Sequence, residues 1–86
     1  MNDAKALAEI KRLAEGGQVE FSPHAQQRMR QRRVFIDDVF NAIRTSTSAE
    51  PEATARYVVS GGTDIDGDGL RVVVTIEADL VIITVI

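Results

Sequence analysis

His24, Arg28 and Arg32 follow one another at intervals of four residues, with Gln31 beside the last. At about 100° per residue this spacing lines an imidazole and two guanidinium groups along one helix face. These groups suit RNA cleavage without a metal. The imidazole takes the proton of a ribose 2′-hydroxyl, the freed oxygen attacks the adjacent phosphorus, and the guanidinium forks stabilise the charge that develops on the phosphoryl oxygens. In the first turn of a helix, the dipole and Arg28 both disfavour the imidazolium of His24, leaving a neutral ring to act as base. The same helix start offers unpaired backbone N–H groups to phosphate. The spacing equally describes a solvated charged face with a locally bonded histidine.

The surrounding charge points to an anion. Residues 21 to 33 hold Arg28, Arg30, Arg32 and Arg33 and no acid, a local +4 in an 86-residue chain of formal net charge −3. The remainder carries six basic against thirteen acidic residues. Such asymmetry fits a local anion site on an acidic protein. Arg30 and Arg33 therefore join Arg28, Gln31 and Arg32 as candidate RNA- and phosphate-binding residues. Tyr57, the only tyrosine, either donates a proton or stacks on a base, or simply packs in a sheet.

Other chemistries lack their residues. With no cysteine and one histidine, disulfides, thiolate zinc and a cysteine nucleophile are excluded, no metal site or cofactor is expected, and a reducing cytoplasm is the natural setting. Asp64, Asp66 and Asp68 with Gly67 and Gly69 resemble the opening of a calcium loop. Its twelfth position is Thr75 inside a strand pattern, so an acidic turn is expected instead. Gly61 and Gly62 lack the strand-to-helix context of a nucleotide loop. The longest apolar run, Leu80 to Ile86, is far short of the roughly 20 residues that span a bilayer. Met1 to Lys5 shows no signal-peptide pattern, so a cytoplasmic protein without membrane association is expected.

The elements that position these residues follow from periodicity. Leu7, Ile10 and Leu13 predict a first helix from Asn2 to Glu15, with Asn2 or Asp3 as cap and Gly16-Gly17 as stop. Val19 to Phe21 reads as extended, a short edge strand or a link. Ser22-Pro23 starts a second helix that runs to about Arg32, because serine caps free amides and proline at the first position gives up no hydrogen bond. Ile36, Val39, Phe40 and Ile43 predict a third helix over 36 to 45. Thr45 to Thr54 reads as an exposed loop. Tyr57 to Val59, Leu70 to Glu77 and Leu80 to Ile86 read as strands, the last two an antiparallel hairpin through Ala78-Asp79.

The expected architecture is one α+β domain over residues 1–86, with helices on one face of a three- to four-stranded antiparallel sheet. Residues 1–17 form the first helix and 18–86 the core unit. The last strand is apolar on both parities, so its second face calls for cover by a loop, a homodimer mate or another protein.

The string Phe21-Ser22-Pro23-His24-Ala25-Gln26-Gln27-Arg28-Met29-Arg30-Gln31-Arg32 resembles the F-x-x-H-A-x-x-R-M-x-x-R signature of a small bacterial family, domain of unknown function 4258. The likeness continues through Asp38-Val39, Ala42-Ile43, Tyr57, Asp66-Gly67, Leu70 to Val74 and Val81 to Val85, covering residues 19 to 86. Phe35 stands where such proteins usually have a capping Ser or Thr, and Asp37 and Asp38 compensate through the dipole. The resemblance implies a RelE-like fold and the toxin half of a toxin–antitoxin pair, with a cognate antitoxin over the basic helix or the last strand. It carries His24, Arg28 and Arg32 as the matched polar positions, the residues already placed on one face. The expected function is a toxin-like RNA-binding protein that cleaves RNA. The alternative is a non-catalytic module that docks a protein or nucleic acid.

Overall fold

The computed structural model describes residues 2–86. The chain runs α1 (Ala4–Glu15), β1 (Val19–Phe21), α2 (Pro23–Arg32), α3 (Ile36–Thr45), β2 (Ser48–Ala53), β3 (Arg56–Ser60), β4 (Val72–Ile76) and β5 (Leu80–Val85). The strands form one sheet in the order β1-β5-β4-β3-β2. Side chains from all three helices share a single core with the inward residues of the sheet. This is the α+β class that the sequence predicts, with the helices gathered on one face.

Each helix begins where local chemistry directs it. The Asp3 carboxylate accepts the Ala6 N–H at 3.0 Å and opens α1, which buries Ile10, Leu13 and Ala14 before Gly16 closes it. Ser22 Oγ accepts the Ala25 N–H at 3.0 Å and donates to the Ile83 carbonyl at 3.0 Å. One hydroxyl thus caps α2 and fixes its start to β5. α3 has no hydroxyl cap, and Asp38 substitutes by accepting the Phe35 N–H at 2.9 Å and the Ile65 N–H at 3.1 Å. Of the two acids expected to compensate through the dipole, Asp38 thus also accepts direct hydrogen bonds at the helix start.

The sheet differs from expectation in three ways. It has five strands, because Ser48–Ala53 is not a loop but pairs antiparallel with β3, with a register shift between Pro51 and Ala53. As an edge strand β2 needs no apolar alternation, only Ala49 of it is buried, and its proline is tolerated at an edge. The sheet is also mixed. β1 runs parallel to β5, with Val19 opposite Leu80 and Phe21 opposite Ile82, where a wholly antiparallel sheet is predicted. The elements between these two strands supply the long connection that a parallel pair requires.

The third difference concerns the doubly apolar last strand. β5 lies inside the sheet with both hydrogen-bonding edges occupied, by β1 and β4. A register shift between Val73 and Val74 leaves Ile83 without a partner residue across the ladder. This irregularity advances the alternation, so Leu80, Ile82 and Val85 are all buried on the core side. Val81 and Ile83, half-buried, remain on the face that no helix covers. Among the described residues, no helix is long and apolar enough to cross a membrane.

Candidate nucleic-acid interface

α2 lies on β5 through Ala25 and Met29, both buried. This contact orients every other side chain of the helix. At about 100° per residue, His24, Arg28, Gln31 and Arg32 fall along one shoulder of the buried stripe, and Gln26, Arg30 and Arg33 along the opposite one. The sequence-predicted set is thereby divided. The structure brings the imidazole and two guanidinium groups to one shoulder, and turns Arg30 and Arg33 toward α3.

Arg28 is half-buried, while His24, Arg30, Gln31, Arg32 and Arg33 are exposed. Among the described residues none of these four arginines bonds to a carboxylate. Of the four arginines elsewhere, Arg12 meets Glu9 at 2.7 Å, Arg56 meets Glu52 at 3.9 Å and Arg44 bonds Asn41, while Arg71, like those of α2, meets no carboxylate among the described residues. The bond from Arg12 lowers the Glu9 pKa. α2 is therefore a concentrated source of uncompensated positive potential on an otherwise acidic chain.

The first turn of α2 offers less to an anion than its sequence promises. Pro23 has no N–H, and the Ala25 N–H is taken by Ser22 Oγ. The Gln26 N–H bonds the Ser22 carbonyl, leaving His24 to supply the free amide of that turn. The donors this helix start presents to solvent are thus chiefly guanidinium groups rather than a backbone cradle.

Tyr57 does not join α2. It packs against the core from β3, two strands and so about 10 Å across the sheet from β5. Its hydroxyl lies 3.5 Å from the Asp3 carboxylate, near the cap of α1. The acidic turn has its expected form: the Asp64 N–H bonds the Asp68 carbonyl at 2.8 Å, and Asp64 Oδ1 accepts the Asp68 N–H at 2.9 Å.

Sequence reasoning overlooks the segment that joins α2 to α3. α2 ends with Arg33 in the left-handed conformation at φ 54°, ψ 42°. The Val34 N–H then bonds the Met29 carbonyl at 2.9 Å, and the chain delivers Phe35 and Ile36 to the surface, 70% and 54% exposed. They border a groove shared with Arg30 and Arg33. The missing serine or threonine cap at Phe35 is the one sequence signal there.

Residues 21–86 match the family model described as Domain of unknown function (DUF4258). That span holds the whole of α2, its cap and every strand but β1's first two residues. No curated protein and no solved structure matches the chain. The match covers well over half of the sequence, and the chain belongs to the DUF4258 family.

Proposed function

We propose that this protein binds RNA through α2 and cleaves it by attack of a ribose 2′-hydroxyl on the adjacent phosphate, acting as the toxin of a toxin–antitoxin pair. The observation that carries this reading is the set of arginines on α2 without acidic partners, with His24 on the same shoulder as Arg28 and Arg32. His24 serves as the base that accepts the hydroxyl proton, and the two arginines neutralise the phosphoryl oxygens as the phosphorus becomes five-coordinate. The electron pair of the breaking bond leaves on the 5′-oxygen, which takes its proton from solvent or from the protonated histidine. No step of this route uses a metal. A cognate antitoxin would silence the protein by covering the basic helix.

A second reading is a non-catalytic module that docks RNA or an acidic protein. It is favoured by one observation: residues 21 to 33 contain no titratable group besides His24 suited to protonate the leaving oxygen. Inducing the chain in bacteria separates the two. Growth arrest with loss of bulk RNA, abolished by His24→Ala and Arg28→Ala at equal levels of folded protein, supports the ribonuclease. A folded wild-type protein that leaves growth and RNA unchanged removes the toxin reading.

A further inference from the structure

The groove between the end of α2 and the start of α3 combines an apolar floor with a cationic rim. Phe21, Met29 and Val34 line it beside the exposed Phe35 and Ile36. Its polar members are Gln26, Arg30 and Arg33, and no carboxylate is among the lining residues. The acids at the start of α3 are directed elsewhere: Asp37 lines a separate cavity with Lys11 and Arg44, and Asp38 accepts the Phe35 and Ile65 amides. Gln26 donates one N–H to the Phe21 carbonyl at 3.0 Å, which leaves its carbonyl oxygen and second N–H for a polar edge.

An aromatic face between guanidinium groups is the composition of a stacking platform for single-stranded nucleic acid, because every base has a π-face and every linkage an anion. We propose that a nucleobase of single-stranded RNA stacks on Phe35 in this groove while Arg30 and Arg33 hold the flanking phosphates. The inference rests on the RNA-binding reading above and extends it. A strand crossing α2 passes from the shoulder of His24, Arg28 and Arg32 to that of Arg30 and Arg33, about one helix diameter of 10–12 Å. Both halves of the divided arginine set then contact one strand. The Phe35 backbone, held by Asp38, fixes the platform before the strand arrives.

The test uses Phe35→Ala, Phe35→Leu and Phe35→Trp in the full chain, with a 2′-O-methyl oligoadenylate that the proposed reaction cannot cleave. Phe35 is 70% exposed, and circular dichroism verifies that each variant folds. Loss of a stacked base weakens binding about 5- to 150-fold. Alanine and leucine are expected to show that loss alike, whereas tryptophan preserves affinity. The chain has no native tryptophan, so quenching of the new indole on adding oligoadenylate reports stacking directly. Wild-type affinity in Phe35→Leu, or an indole emission in Phe35→Trp that ignores bound RNA, overturns the stacking proposal. If the wild type binds no oligoadenylate, and no single-stranded RNA of other composition, the parent reading fails and this one with it.

Discussion

Arg33 couples fold stability to the proposed site, and its replacement by glycine separates the two. At φ 54°, ψ 42° this residue closes α2 in the left-handed region, which costs an L-residue about 1–2 kcal/mol. Glycine removes that cost, yet loses about 0.4–1 kcal/mol more chain entropy on folding. The Arg33 side chain is exposed and holds no carboxylate among the described residues, so its removal breaks no ion pair. The balance favours Arg33→Gly by about 0.5–1 kcal/mol, or about 2–8 °C in Tm for a domain of this size. Arg33→Ala keeps the strained backbone and gains nothing. Urea denaturation followed by far-UV circular dichroism reads the difference, with Arg33→Ala as control for the lost cation. Both variants should lose one phosphate contact, flattening the salt dependence of single-stranded RNA binding by about 0.7 in log–log slope. A glycine variant no more stable than the alanine variant refutes the backbone argument, and an unchanged salt slope removes Arg33 from the RNA contact.

Further outcomes follow from other parts of the structure. A Cβ added at Gly62 would overlap the Ala42 carbonyl oxygen and lie 3.0 Å from the Ser46 amide nitrogen, so Gly62→Ala drives β3's exit loop away from α3. The expected loss is about 3 kcal/mol in denaturant melts, against less than about 0.5 kcal/mol for Gly69→Ala, where nothing lies within 4 Å. Equal melts for the two would contradict that packing. Ser22→Ala removes the cap of α2 and leaves the Ile83 carbonyl without its side-chain donor, which should cost about 1–2 kcal/mol and raise amide exchange in the first turn of α2. Unaltered exchange there would show that the hydroxyl does not fix the helix. Glu9 titrates lower because Arg12 hydrogen-bonds its carboxylate, so the pair's contribution is present above the unfolded pKa of Glu9 and is lost as pH falls through the lowered folded value. In Arg12→Ala the Glu9 carboxyl resonance should titrate at higher pH, and an unmoved midpoint would show that the bond does not form in solution.

The legible parts of this fold are those written in local chemistry. Ser22-Pro23 marks the start of α2 because capping and a missing N–H are short-range facts, and Val39 and Ile43 mark α3 because one stripe must be buried, although Ile36, which the periodicity assigns to that stripe, lies exposed in the first turn. β2 escapes the same logic. Its pairing with β3 is non-local, and Pro51, Glu52 and Ala53 face solvent, so its sequence resembles a loop. The direction of β1 is likewise set by where the chain returns as β5, not by three residues of its own. The deviation at Ile83 brings Val85 inward and so accounts for one apolar residue of the second parity, while Val81 and Ile83 keep their apolar side chains on the face that no helix covers.

The candidate site is partly legible for the same reason. Four-residue spacing places His24, Arg28 and Arg32 together wherever a helix forms. Counting charge over a segment, however, merges Arg30 and Arg33 with them, even though Ala25 and Met29, legible in the spacing as the core-facing stripe and buried in the structure, divide the helix into two shoulders. Tyr57 is set apart only by the order of strands. Phe35 is recognisable in sequence as an absent cap, but its exposure comes from the left-handed turn at Arg33, a conformation that an arginine does not announce.

The central claim is that His24 is the base of an RNA-cleaving site whose arginines hold phosphate. The most direct measurement incubates purified wild type and His24→Ala, in parallel and with chelator present, with single-stranded RNA and with the same strand carrying 2′-deoxy sugars. The account predicts that wild type cuts only the ribose strand, leaving 2′,3′-cyclic phosphate ends, and that His24→Ala loses turnover by about 10²- to 10⁴-fold while binding RNA as tightly as before. Undiminished turnover in His24→Ala, or a folded wild type that binds RNA and never cuts it, would contradict it.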